Sequence, residues 1–347
     1  MNKILVTGGA GFIGSNFINY CIQNNNQILN YDLLTYAGNL NNLKSIENSK
    51  NYQFVKGDIC DRNLFSDCLN TFKPNYVVHF AAESHVDRSI DNPHTFINTN
   101  IVGTSVILDE CLNYYEKIND DKFRFLHIST DEVFGSLDKF GKFTEKTPYD
   151  PSSPYSASKA SADHLVNAWY KTYSLPTIIT NCSNNFGPFQ FPEKLIPLII
   201  LSCFGNRELP VYGDGSNIRD WLYVEDHCKA LYLILEKGKV GETYNIGGNQ
   251  EKSNLEVVHL ICDIMDDRYK SNKVESYREL INFVDDRPSH DFRYAVDTNK
   301  IKNEIDWSPL ENFNSGLIKT IKWYNENNDW INLIIKEKYN LERLGRG

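Results

Sequence analysis

The feature that most constrains this chain is the pattern laid down before residue 33. Lys3–Thr7 reads as a short apolar strand, Gly8-Gly9-Ala10-Gly11-Phe12-Ile13-Gly14 as a glycine-rich turn, and the stretch to about Gln23 as an amphipathic helix. A second strand, 27–31, then ends on Asp32. The glycines fit G-x-G-x-x-G from Gly9 and T-G-x-x-G-x-x-G from Thr7. Such a turn needs glycine because the backbone bends tightly and approaches a pyrophosphate at a helix N-terminus. Alone, the pattern also describes an ordinary strand–helix turn. The acid about 20 residues further on narrows it, since a carboxylate there accepts from an adenosine ribose and repels a 2′-phosphate. The combination predicts a dinucleotide site that takes NAD in preference to NADP.

The following segments continue the alternation: strand 52–56, helix 61–72, strand 76–80, a long helix 95–118, strand 123–129, a helix opening at Tyr155 and strand 176–181. Strands that alternate with helices, without hairpin signals, predict an α/β fold: a Rossmann-type, doubly wound parallel sheet. Ligands in such sheets bind at the carboxyl ends of strands, where Gly8, Asp32, Asp58, Ala81 and Thr130 fall. Asp58 serves equally well as a turn former. The fifth strand stops on Ser129-Thr130-Asp131-Glu132, a hydroxyl pair followed by two carboxylates. The next helix carries Tyr155 and Lys159 four residues apart, on one face. A nearby ammonium lowers a phenol's pKa, so the two form a proton-transfer pair. His85 and Arg88, taken singly, read as surface residues.

Beyond the stretch Ser183-Asn184-Asn185-Phe186-Gly187-Pro188 the texture shifts to prolines and aromatics, which marks a smaller, partly interleaved α/β substrate-binding domain. Short strands are expected at 210–213 and 218–224, with Asp226 capping a helix through about Glu236. A segment at 242–246 is expected to rejoin the large sheet. The division is therefore 1–185, rejoined by about 220–248, for the cofactor, and 186–219 with 249–340 for the substrate. Lys194, Arg219 and Arg287 supply cations suited to a diphosphate.

Composition excludes several classes. Hydrophobic residues at 41% of 347 supply a packed core, which argues against disorder. A net charge of −9 argues against nucleic-acid binding, which needs a basic face. No run of 18 apolar residues and no leader pattern is present, so no membrane span is expected and the cytoplasm is the expected location. Eight cysteines without a C-x-x-C pair, and histidines without clustering, predict free thiols and no metal site.

Taken together, these motifs resemble the extended short-chain dehydrogenase/reductases, and within them the nucleoside-diphosphate-glucose 4,6-dehydratases. The resemblance runs nearly end to end. It includes Thr35-Tyr36-Ala37-Gly38, Ala81-Ala82-Glu83-Ser84-His85-Val86-Asp87-Arg88-Ser89, Asn184-Asn185-Phe186-Gly187-Pro188, Phe191-Pro192-Glu193-Lys194-Leu195-Ile196-Pro197 and Arg219-Asp220-Trp221-Leu222-Tyr223. The Gly motif and Tyr-x-x-x-Lys are shared with epimerases and decarboxylases; Thr130-Asp131-Glu132 singles out the dehydratases.

The resemblance implies that Tyr155, its pKa lowered by Lys159 and the nicotinamide's positive charge, takes the C4 hydroxyl proton as hydride leaves for NAD. It makes Glu132 the base at C5, Asp131 the acid at the C6 hydroxyl and Thr130 the partner of the C4 oxygen. It puts Gly8, Gly11, Phe12, Ile13, Gly14, Asp32, Thr35, Asp58, Ile59, Ala81, Thr99, Tyr155, Lys159 and Asn185 at cofactor positions. Ser84, Thr130, Asn184, Lys194, Leu195, Tyr212, Arg219, Asn254, Arg287 and His290 fall at nucleotide-sugar positions. A homodimer through the 95–118 and 155–173 helices is implied as well. Thymine and uracil differ by one methyl, worth about 1–3 kcal/mol in a pocket, so dTDP-glucose and UDP-glucose both remain open.

Overall fold

The computed structural model describes residues 1–286 and 290–337. In chain order the first strands are β1 (Lys3–Thr7), β2 (Gln27–Asp32), β3 (Tyr52–Lys56), β4 (Tyr76–His79), β5 (Arg124–Thr130) and β6 (Thr177–Cys182). Then come β7 (Asn184–Phe186), β8 (Leu209–Tyr212), β9 (Ile218–Tyr223), β10 (Thr243–Ile246), β11 (Glu251–Ser253) and β12 (Ile281–Val284). Seven strands form one sheet in the order β10-β6-β5-β4-β1-β2-β3, parallel at every pairing. This is the expected doubly wound sheet, and β10 rejoins it at the β6 edge.

Both faces of the sheet are covered, so its strands read as continuous apolar runs. The pleat still sorts them by parity. Ile4 and Val6 of β1 pack with Phe17, Ile18 and Cys21 of the Phe12–Gln23 helix, and with Leu231 and Ile234 of the Val224–Lys237 helix. Leu5, between them, faces the other way, toward Phe65, Leu69, Ile107 and Val166 on three further helices. Each such side chain, fully buried, contributes about 1.5–3 kcal/mol.

A third core lies in the C-terminal half. It joins Ile199 and Ile200 to Val258, Ile261, Leu317 and Ile321, with Phe186, Trp221 and Tyr223 beneath. Two small sheets, β11-β9-β7 and β12-β8, border it.

Two local expectations need correction. The 95–118 helix is not uniform: a π-helical segment, Ile97–Gly103, precedes the α-helix Thr104–Ile118. Its wider turn aims Asn100 at the Glu83 backbone, accepting from Glu83 N at 2.9 Å and donating to Glu83 O at 3.0 Å. Asp226 is not a cap. The helix starts earlier, at Val224, and the Asp226 carboxylate accepts instead from the Leu310 and Glu311 amides at 3.0 and 2.8 Å.

Candidate active site

The carboxyl ends of β1, β2, β4, β5 and β6 open onto one cleft of about 330 Å³. At its near end Gly8 sits at φ +71°, and a Cβ there would lie 2.6 Å from the Ala81 backbone nitrogen. Only glycine fits, and the same closeness leaves the N-terminus of the Phe12–Gln23 helix open to the cleft, with Gly11 at its cap. Asp32 is held by the Ala10 amide at 2.9 Å and the Leu34 amide at 2.7 Å. Those bonds fix a carboxylate on the cleft wall, a geometry suited to a ribose diol.

Phe12, Ile13, Gly14, Thr35, Asp58, Ile59, Ala81, Thr99 and Asn185 line the same cleft, and so does Ser84. Asp58 also plays the turn role, accepting from Cys60 N at 2.8 Å. A glycine cradle, a helix N-terminus and a fixed strand-end acid fit an adenine dinucleotide.

At the far end stand Thr130, Asp131, Glu132, Tyr155 and Lys159. The helix Pro154–Tyr173 sets the last two. Ser153 and Ser156 exchange reciprocal cap bonds at 3.1 and 3.0 Å, and Pro154 occupies the first helical position. Tyr155 therefore lies in the first turn and Lys159 in the next. Lys159 Nζ donates to Ile128 O at 2.8 Å.

The electrostatics are uneven. Burial, then the Glu132 and Asp220 carboxylates, push Asp131 well above the ordinary carboxylate range. Burial and Glu132 likewise push the Tyr155 phenol up, opposed by a hydrogen bond with Thr130. The Lys159 ammonium is itself disfavoured by burial.

A second cleft of about 210 Å³ adjoins the first, and Glu132, Asn184, Asn185 and Lys194 line both. Leu195, Tyr212, Arg219, Asn254 and His290 line the second cleft. Arg219 is buried, stacked 4.4 Å over the Tyr294 ring, and donates to Asp291 O at 3.0 Å. Lys194 Nζ reaches Ser84 O at 3.2 Å. Arg287 lies outside the described residues. Among the described residues no group of His, Cys, Asp and Glu could hold a metal ion, and no helix is long and apolar enough to cross a membrane.

Sequence reasoning missed a clasp at Glu193, a residue that lines both clefts. Arg88 stacks 3.9 Å over Tyr36 and pairs with Glu193 at 3.1 Å, while Tyr36 OH donates to Glu193 at 3.0 Å. It also missed Asp163, one helical turn after Lys159, a fully buried acid. An acid on the inward face of a helix was the available signal.

Comparison with known proteins agrees with this geometry. A family model described as GDP-mannose 4,6 dehydratase matches residues 5–320. A dTDP-glucose 4,6-dehydratase of Escherichia coli is 53% identical over 358 residues, spanning 99% of this chain and 99% of that protein. The solved dTDP-glucose 4,6-dehydratase of Bacillus anthracis str. Ames, in complex with NAD, matches with a TM-score of 0.85 at 47% identity. That match covers 96% of this chain and 100% of the other. The Streptomyces venezuelae dTDP-glucose 4,6-dehydratase structure, with NAD bound, gives a TM-score of 0.87 at 41% identity over 94% and 98%.

Proposed function

The chain belongs to the dTDP-glucose 4,6-dehydratase family, and from that premise we propose that it dehydrates dTDP-glucose to the 4-keto-6-deoxy nucleotide sugar, for deoxysugar biosynthesis. The observation that carries the reading is the adjacent acid pair at the end of β5, with Asp131 buried and Glu132 where the two clefts meet. A 4-epimerase or decarboxylase needs the Tyr and the Lys but not that pair.

NAD, when bound, supplies a reversible hydride acceptor, oxidising C4 and reducing C6. The protein's own groups move the protons. Tyr155, its phenol pKa lowered by the positive charge of bound NAD together with the Lys159 ammonium one turn away, would take the C4 hydroxyl proton, and Thr130 would orient the C4 oxygen. With C4 a ketone, the C5 proton is acidic, and Glu132 removes it. Asp131, whose surroundings favour the protonated form, gives its proton to the departing C6 hydroxyl, which leaves as water. Glu132, its proton exchanged with solvent, reprotonates C5, and the proton taken by Tyr155 passes to solvent as Asp131 regains one.

Asp32 and the glycine turn would hold the cofactor. Ser84, Asn184, Lys194, Leu195, Tyr212, Arg219, Asn254, Arg287 and His290 would hold the nucleotide sugar. Residues 1–185 with about 220–248 would form the cofactor domain, and 186–219 with 249–340 the sugar-nucleotide domain. Thymidine is favoured over uridine because the relatives are named for dTDP-glucose. A homodimer through the two long helices fits the exposed Ile97 and Val102, and free, mostly buried thiols fit a reducing cytoplasm.

In heavy water with dTDP-glucose, the purified protein is expected to form a 4-keto-6-deoxy product carrying deuterium at C5, without net NADH. An epimerised or decarboxylated product that retains the C6 hydroxyl would overturn the reading. Faster turnover of UDP-glucose in the same assay would overturn the base assignment.

A further inference from the structure

Beneath the site, a buried polar cluster is built around Asp163, which lines neither cleft. Its Oδ2 accepts from three donors: Ser129 Oγ at 2.8 Å, Tyr149 OH at 2.9 Å and Asn181 Nδ2 at 3.3 Å. Its Oδ1 stands 3.2 Å from His127 Nε2. The same Asn181 amide reaches Thr130 O at 3.2 Å. One carboxylate thus ties the end of β5, the body of β6 and the Tyr149 loop to the helix that carries Tyr155 and Lys159.

A carboxylate is an acceptor only, and three donors converge on Oδ2, while Oδ1 has no hydrogen-bond partner among the described residues. A negative charge buried this deeply needs a positive partner. Two basic groups, His127 and Lys159, lie beside it, and a third, His79, packs on His127 with ring centroids 5.4 Å apart. His127 on β5 is held down to about 4 by burial and by Lys159, and His79 on β4 is pushed down the same way, so both are neutral. Lys159, one turn earlier on Asp163's own helix, is the group left to carry the charge, and Asp163 is the largest influence favouring its ammonium. The remaining titratable neighbours are the Cys182 thiol on β6, pushed up to about 12, the Tyr149 and Tyr155 phenols, both raised, and Asp131 and Glu132 at the end of β5.

We propose that Asp163 is a positioning residue for C4 oxidation: its carboxylate is the buried counter-charge to Lys159 and the tie that keeps Thr130 in register with Tyr155. The inference rests on the dehydratase reading for its chemical consequence, but not for its structural half. Removing the charge leaves Lys159 less often an ammonium, which withdraws support from the Tyr155 phenolate.

The test uses Asp163→Asn, which keeps shape and loses charge, and Asp163→Glu, which keeps charge. With lysine side chains carbon-13 labelled and Lys159→Arg used for assignment, the Lys159 titration is followed by NMR without substrate. In Asp163→Asn its midpoint is expected to fall by on the order of 1–3 pH units, with most of the fall recovered in Asp163→Glu. On mixing with dTDP-glucose, the acidic limb of transient NADH formation moves to higher pH in Asp163→Asn and returns in Asp163→Glu. An unmoved Lys159 midpoint, or no recovery in Asp163→Glu, overturns the proposal.

If Asp163→Asn does not fold, the double variant Asp163→Asn/Lys159→Met, which removes both charges, is expected to fold. A double variant that is equally unfolded overturns the pairing. Because the NMR titration needs no substrate, a wild-type protein that fails to dehydrate dTDP-glucose sinks the dehydratase reading and leaves the charge pairing separately decided.

Discussion

Asp131 and Asp163 are both almost completely buried, one in front of Tyr155 and Lys159 and one behind them, yet they are provided for in opposite ways. Asp163 receives three donors on Oδ2 and none on Oδ1, and Lys159 lies one helical turn before it. Asp131 has a single long contact, from Thr130 Oγ1 at 3.4 Å, and its Oδ2 has no hydrogen-bond partner among the described residues. Its strongest charged neighbours are Glu132 and Asp220, and only Arg219 opposes them. Burial alone therefore does not decide the state of a carboxyl group. The number of donors and the sign of the neighbours decide it. Behind the site the fold satisfies a charge, and in front of it the fold stores a proton.

The comparison is broken most forcefully by deletion. Asp163→Ala leaves Ser129, Tyr149, Asn181 and His127 facing an empty acceptor position and Lys159 without its counter-charge. Each buried group left unpaired in this way costs about 1–3 kcal/mol, read as a lowered urea midpoint. Asp131→Ala is expected to cost clearly less, since few bonds are lost; equal losses would erase the distinction.

The pH dependence sharpens the comparison on a slightly smaller scale. His127 is held at about 4 in the folded protein against an ordinary 6.5. Between those values the unfolded chain binds the extra proton, so stability falls as pH drops through that window, by up to roughly 3 kcal/mol at 1.36 kcal/mol per unit. His79 acts in the same direction. Asp131 acts in the opposite sense. Its folded value is raised above the ordinary 3.8, so its favourable contribution is present in acid and is lost as pH rises toward the folded value. Urea titrations at a series of pH values should show His127→Gln flattening the acid-side fall, and Asp131→Asn gaining on the wild type as pH rises. Parallel curves for all three proteins would contradict the assignment.

Much of the front of the site was legible in the sequence because its signals are local. The Thr7–Gly14 turn, Asp32 at the end of the next strand and the Tyr155/Lys159 spacing each follow from periodicity and turn chemistry within one strand–helix unit. The back was not legible. Asp163 meets His127 and Ser129 only through the packing of the Pro154–Tyr173 helix on β5, and Tyr36 meets Glu193 across 157 positions. The direction of the Tyr155 shift also depends on burial, a tertiary quantity that no spacing carries. The misplaced Asp226 cap has the same origin: a capping residue type lay near a helix start, and its partners, Leu310 and Glu311, came from far along the chain.

The opposed protonation of the two aspartates is what the proposed roles require, one as the acid at C6 and the other as the counter-charge to Lys159, and infrared difference spectroscopy near neutral pH reads it directly. Wild type minus Asp131→Asn is expected to show loss of a protonated carboxyl band, and wild type minus Asp163→Asn loss of a carboxylate band. A carboxylate band lost in both would contradict the account, because Asp131 would then have no proton to give.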